Sequence, residues 1–340
     1  MMKKLFLAGI MLLSVSLYAI SCKNQSTIQD SMEAVMGPLP DLTDLPPMNV
    51  QYVDSLETEK YIRHTIHFTV AENENLPAYL YLPTHTKPGK YPAMLVLHST
   101  GALGKGIVDG QSSLENRAVA KELAERGYVV IAPDYPGFGE LKNYDFENDR
   151  YESGTMKGIF NHIRCVDLLQ SLNQVDPERI GVIGHSLGGH NAIFVAAFDT
   201  RLKVVVSSCG WTQFEYYDIG PSSEQYGGKL GPWAQDKYMP LMKTKYQLDQ
   251  TKIPFNFDEI IVSLAPRPFI SNSPLHDKNF DVEGVRDGIR KALPAYEALG
   301  AKENVKVFYP DAEHNFPPSV RNEIYGLIDH FLENQEKTAD

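Results

Sequence analysis

A serine hydroxyl attacks a carbonyl only when a base removes its proton and a further group orients that base, so Ser, His and a carboxylate must be supplied together. The stretch GHSLGGH (184–190) offers the serine. Ser186 follows the apolar run RIGVI and precedes LGGHNAIFVAAF, which reads as a buried helix, so it falls at a sharp strand-to-helix turn. Gly184, Gly188 and Gly189 remove Cβ atoms where such a turn brings strand and helix close. The backbone N–H of Leu187, at the helix start, can then face a developing oxyanion.

Of the ten histidines, His314 is the candidate base. It lies in the loop after the last strand, VKVFYPDAEHNFPP, where the ring is free to reach a neighbouring strand end. His185 sits inside the elbow and His190 is expected to face out of the helix that follows, so both read as packing residues. The acid is expected after the preceding strand, in SNSPLHDKNFD. Asp277 is the first choice there, with Asp281 its near competitor and Glu215 or Asp218 more distant ones; His276 reads as a loop residue. A second oxyanion N–H is expected from the loop LVLHSTGALGKG, assigned to Thr100 with Ser99 or Gly101 as alternatives. GALGKG lacks the Walker spacing, because its lysine precedes the second glycine and no Ser or Thr follows. Nucleotide binding is therefore not expected. No Cys/His spacing suggests a metal site, and the reaction needs no cofactor.

These residues need a scaffold that brings distant strand ends to one edge. From about Val50, short apolar runs alternate with amphipathic stretches, the pattern of a mostly parallel sheet covered on both faces. Eight strands are expected: YIRHTIHFTV (61–70) and PAYLYLP (77–83) as an antiparallel entry, then YPAMLVLHS (91–99), YVVIAPDY (128–135), RIGVIGHS (179–186), LKVVVSSCG (202–210), RPFISNSP (267–274) and VKVFYPDAEH (305–314). Ser112 and Glu115 suggest a capping box ahead of a helix ending at Gly127. Ile324, Leu327, Ile328, Phe331 and Leu332 mark a closing amphipathic helix. Residues 211–262 interrupt the rhythm with an aromatic-rich insertion after the sixth expected strand, of the size of a lid or binding loop. It holds both tryptophans, Trp211 and Trp233, whose faces suit sugar rings and which are candidate substrate contacts.

The succession of GHSLG, Asp277, His314 with its FPP tail and the DYPGFGE turn (134–140) resembles the α/β-hydrolase superfamily over about 290 residues. Within it, RCVDLLQSL, APRPFI and YPDAEHNFPP are similar to dienelactone-hydrolase-like and acetyl-xylan-esterase-like bacterial proteins. The resemblance implies a serine esterase, with removal of acetyl or methyl esters from plant-type polysaccharide such as xylan or pectin as the expected activity. Glucuronoyl esterases carry an arginine after the nucleophile, where this chain has Leu187. The same catalytic order occurs in serine peptidases of the prolyl-oligopeptidase type, and a carbohydrate-binding protein on this fold without turnover is a further alternative.

Composition sets the setting. The chain has 340 residues, 43% hydrophobic and 22% charged, with a formal net charge of -11. That acidity, without a basic stripe, argues against nucleic acid as a partner. MMKKLFLAGIMLLSVSLYAISCK reads as an export signal over 1–22, ending at a box that resembles a bacterial lipoprotein cleavage site. Cys22 would then carry lipid and tether the domain to a membrane surface; ordinary cleavage after Ala19 is the alternative. The expected location is periplasmic or at the cell surface. Residues 23–47 read as a polar, Pro-rich linker and 48–336 as the folded domain. Cys165 and Cys209 are expected as buried free thiols.

Overall fold

The computed structural model describes residues 26–85 and 89–333. The export signal, Ala19 and Cys22 lie outside the described residues. Among those described, no helix is long and apolar enough to cross a membrane.

The backbone of the molecule is a nine-stranded sheet in the order β1-β2-β3-β5-β4-β6-β7-β8-β9. Its strands are β1 (Gln51–Glu57), β2 (Tyr61–Ala71), β3 (Glu74–Pro83), β4 (Tyr91–Leu97), β5 (Val129–Pro133), β6 (Val175–His185), β7 (Leu202–Ser208), β8 (Phe269–Asn272) and β9 (Val305–Phe308). The pairs β1–β2, β2–β3 and β3–β5 are antiparallel, and every pair from β5 to β9 is parallel. One strand exceeds the eight expected: β1 is an edge strand exposed along its whole length, so it buries nothing that would mark it in the sequence.

Every residue of β4 and β5 is buried, as apolar strands covered on both faces must be. The pleat divides β4 between two cores. Ala93, Leu95 and Leu97 join the larger, built with α3 (Gly154–Ser171), α4 (Leu187–Phe198), α6 (Phe257–Leu264) and α7 (Val282–Ala298). Met94 and Val96 join the smaller, covered by α2 (Val119–Glu125) and α8 (Pro318–Glu333). A short α5 (Leu241–Thr244) lies in the insertion. The closing helix is as expected, with Ile324, Ile328 and Leu332 buried. The cap before α2 is not: Ser112 and Glu115 lie in the preceding loop, the helix starts at Val119, and no side chain caps it.

The linker reading is corrected. Residues 26–36 form a helix, α1, whose Ile28, Met32, Val35 and Met36 are buried in the larger core. Four apolar residues at helical spacing suffice to dock a short helix that a polar average conceals. The Met36 carbonyl accepts from Ser153 Oγ at 2.6 Å, and the Ala34 carbonyl accepts from Tyr246 Oη at 3.1 Å.

Strand order reverses at β4, which pairs with β5 on one side and β6 on the other. Ligands bind α/β sheets at the carboxyl ends of strands where this happens. The register keeps those ends level: Leu97 lies beside Gly184, His185 beside Ser208, Ser208 beside Asn272, and Asn272 beside Phe308. The loops carrying Thr100, Ser186, Asp277 and His314 therefore leave one rim.

Candidate active site

Ser186 has φ 56° and ψ -118°, in the left-handed region that costs a residue with a Cβ about 1–3 kcal/mol. The turn is held from both sides: its N–H donates to the Ser208 carbonyl at 2.8 Å, and its own carbonyl accepts from Gly189 N at 2.8 Å. The glycines act as their positions suggested. A Cβ on Gly184 would lie 2.1 Å from the Gly188 carbonyl oxygen, and one on Gly188 only 2.0 Å from that of Leu97. The elbow thus fits against the end of β4. Leu187 begins α4, where the first N–H groups have no intrahelical acceptor.

Asp277 and His314 meet. The ring Nδ1 lies 3.0 and 2.9 Å from the two Asp277 carboxylate oxygens, and so carries the donated proton and leaves Nε2 as the lone pair. Asp277 Oδ1 also accepts from Asn279 N at 2.8 Å and Phe280 N at 3.2 Å, and its side chain is fully buried. The rivals are engaged elsewhere. Asp281 caps α7 by accepting from Glu283 N, Glu215 accepts from Asn256 Nδ2, Asp218 pairs with Lys229, and exposed His276 bonds Asp311.

The His314 ring lies against Phe280, with centroids 6.0 Å apart, and against His185 at 4.9 Å. Phe280 and Ser186 line the same cavity. Ser186 lines the cavity and His314 packs behind its Phe280 wall, with no hydrogen bond joining the two side chains; such contacts commonly tighten when substrate binds.

Several supporting residues carry no motif and were missed from the sequence. Arg117, in the loop before α2, donates to the His314 carbonyl and to Asn315 Oδ1, both at 2.9 Å. Asn272 Nδ2 donates to the Asn315 carbonyl at 3.0 Å. On the opposite side, His98 Nδ1 donates to the Ser99 carbonyl at 2.7 Å while its Nε2 accepts from Tyr135 N at 3.0 Å. Burial lowers the His98 pKa, which favours the neutral ring this arrangement needs. The histidine before Thr100 was the one available signal. Lys105 of GALGKG is buried and paired with Asp134 at 2.7 Å and with Glu140, which ties this loop to DYPGFGE.

His185, Cys209 and His314 present ligand-type atoms within 4.8 Å of one another, a grouping no linear spacing reveals. Burial pushes the Cys209 thiol pKa well up and the His185 pKa well down. Both therefore rest as neutral groups, with Cys209 Sγ donating to the Asn315 carbonyl. Cys165 is likewise a buried free thiol.

The cavity beside Ser186 measures about 280 Å³ and is walled by Thr100, Leu187, His190, Trp233 and Tyr238 among others. Among the described residues, its lining contains no Asp, Glu, Lys or Arg. Trp233 lines it, whereas Trp211 is corrected to a core residue. It is 1% exposed, its Nε1 donates to Ser271 Oγ at 3.0 Å, and it packs on Phe257 and Phe269 beneath the sheet edge. His190 is also corrected: instead of facing outward it lines the cavity, 4.6 Å from the Trp233 ring.

Sheet order, elbow and the Asp277–His314 pair define an α/β-hydrolase. More closely, the chain belongs to the prolyl oligopeptidase family, whose model matches residues 115–338. It is 30% identical over 306 residues to YtaP of Bacillus subtilis (strain 168), named as a candidate hydrolase, covering 86% of this chain and 96% of that one. It is 25% identical over 216 residues to the carbohydrate esterase MZ0003 of an unknown prokaryotic organism, covering 58% of this chain and 47% of that protein. A glucuronoyl esterase from Solibacter usitatus shares the fold with a TM-score of 0.66 at 17% identity, covering 90% of this chain and 91% of its own.

Proposed function

We propose that this hydrolase is a serine carboxylic-ester hydrolase that removes small neutral acyl groups, acetyl foremost, from carbohydrate of the xylan or pectin type. The observation that carries the reading is the His314–Asp277 pair set at the same rim as the strained Ser186, beside a cavity without charged walls. Ser186 Oγ attacks the ester carbonyl as His314 Nε2 takes its proton, and the N–H groups of Leu187 and Thr100 receive the oxyanion. His314 then protonates the departing alkoxide. Water, deprotonated by the same ring, cleaves the acyl-enzyme and frees the acid, while Asp277 holds the tautomer and balances the imidazolium charge.

The lining supports acyl over uronate substrates. Hydrolysis of a uronoyl ester leaves the carboxylate on the sugar ring, where a guanidinium or ammonium can hold it, whereas an acetyl ester leaves the sugar neutral. Leu187 stands where glucuronoyl esterases carry arginine, and among the described residues the cavity lining supplies no Lys or Arg in its place. Acetyl is therefore favoured over methyl esters. Export and a lipid tether on Cys22 would place the domain where polymeric substrate is met.

The purified domain is expected to release acetate from acetylated xylan or pectin. If neither acetate nor methanol appears from a panel of these polymers, the carbohydrate reading is wrong. The family's description supports a second reading, peptide cleavage: hydrolysis of prolyl peptides faster than of acetyl esters would favour it.

A further inference from the structure

The two N–H groups assigned to the oxyanion are aimed by different means. That of Leu187 is directed by the start of α4, whereas Thr100 lies in a loop with no regular element to orient its peptide. Thr100 lines the cavity beside Ser186, and among the described residues no acceptor takes its N–H. Something must still turn that hydrogen toward the cavity.

A trans peptide unit is planar, with its C=O and N–H pointing in opposite directions. The Thr100 N–H shares its unit with the Ser99 carbonyl, and that bond is trans. Whatever holds the Ser99 oxygen therefore aims the Thr100 hydrogen the other way.

His98 holds it. Its Nδ1 lies 2.7 Å from the Ser99 carbonyl oxygen and its Nε2 lies 3.0 Å from Tyr135 N. A backbone N–H can only donate, so Nε2 carries the lone pair and the proton sits on Nδ1, where Ser99 receives it. The His98 ring is 2% exposed and does not line the cavity, so the carbonyl is turned toward buried protein. A second tie keeps this frame rigid. Asp134, next to Tyr135, accepts from Lys105 N at 2.8 Å and from Lys105 Nζ at 2.7 Å. The stretch from 98 to 105 is thus fastened at both ends to the segment that follows β5, and the His98 ring meets Phe138 of that segment edge-on, with centroids 6.0 Å apart.

We propose that His98 is a positioning residue for the oxyanion site: by holding the Ser99 carbonyl it presents the Thr100 N–H to the oxygen that becomes negative when Ser186 attacks. This rests on the serine-esterase reading above and extends it to a side chain that never touches substrate. A donor aimed at developing charge strengthens its bond in the transition state more than in the bound ester, so the effect falls on kcat rather than on KM.

Amide side chains separate the two bonds of the ring. His98→Asn sets an N–H near the Nδ1 position and keeps the Ser99 contact, whereas His98→Gln sets an oxygen near the Nε2 position and keeps the Tyr135 contact. On 4-nitrophenyl acetate, His98→Gln is expected to lower kcat by about 10²-fold with KM within a few-fold, and His98→Asn to retain about ten times more turnover than that. A merely anchoring role predicts the reverse order, because the bond to Tyr135 is the one that ties two segments together. Equal losses in the two variants, the reverse order, or a loss confined to KM would overturn the proposal. A measurement on wild type requires no His98 variant to fold. With isotope-labelled threonine, the Thr100 amide proton, assigned by its loss in Thr100→Ser, should move downfield when an aryl trifluoromethyl ketone forms its adduct on Ser186. A Thr100 amide that stays in place in the adduct would also overturn the proposal. If wild type neither hydrolyses 4-nitrophenyl acetate nor binds the ketone, the esterase reading fails instead, and this proposal with it.

Discussion

The sheet rim and the aromatic insertion meet at one cavity but are built on opposite principles. On the rim each candidate catalytic side chain is positioned by backbone: Ser186 by a strained elbow locked against β4, Asp277 and His314 by loops leaving level strand ends. In the insertion, position comes from packing. Its two tryptophans lie 22 positions apart in one aromatic-rich stretch, yet Trp211 is buried in the core against Phe269 and Trp233 lines the cavity beside Ser186. Backbone geometry has local sequence causes, whereas side-chain environment depends on what the rest of the chain brings alongside.

The contrast can be broken first at the rim. Ser186→Ala should lower kcat on a chromogenic acetyl ester by on the order of 10⁶, with the fold intact by circular dichroism. Residual turnover near wild type would remove serine catalysis altogether. Asp277→Asn should cost on the order of 10⁴ in kcat, because an amide oxygen and nitrogen cannot enforce the Nδ1–H tautomer as a carboxylate does. If Asp281→Asn had the larger effect, the assignment of the acid would be wrong.

Gly188→Ala tests whether the backbone sets the rim. Its methyl would meet the Leu97 carbonyl oxygen at 2.0 Å, where neither atom can give way cheaply. A loss of at least ~2 kcal/mol in denaturant unfolding, together with loss of turnover, is expected.

The insertion is tested at its tryptophans. Trp211→Phe deletes the bond to Ser271 and part of a filled core, so it should destabilise by about 1–3 kcal/mol while kcat/KM on 4-nitrophenyl acetate stays within a few-fold. A selective loss of activity without loss of stability would return Trp211 to the substrate site.

The smallest effect is a slope with pH. Buried His162 and His190 are both lowered to about 3 from 6.5, by desolvation first. Between those values the unfolded chain binds protons that the folded chain excludes, so stability falls as pH drops from 6.5 toward 3. Each histidine contributes about 1.4 kcal/mol per pH unit to that slope. His162→Leu should flatten urea midpoints measured from pH 7 to pH 4, and an unchanged profile would show that the ring is not excluded from protonation.

Much of the site was legible before folding because its signals are local. The GHSLGG glycines mark a turn no bulkier residue could make, and chain order places acid before base. Trp211, His190 and the helix at 26–36 were misread for one reason: each shows a residue type or composition without showing its neighbours. Arg117 had no signal at all, since its partners His314 and Asn315 lie nearly two hundred positions away.

By itself, then, the amino-acid order determined the sheet, the elbow and the three residue types able to transfer an acyl group, because period, glycine placement and strand ends are written in short stretches. Only the tertiary structure decided which tryptophan meets the cavity and which carboxylate meets His314. Those outcomes depend on contacts between distant segments, whose distances and donor directions exist only once the chain has closed on itself.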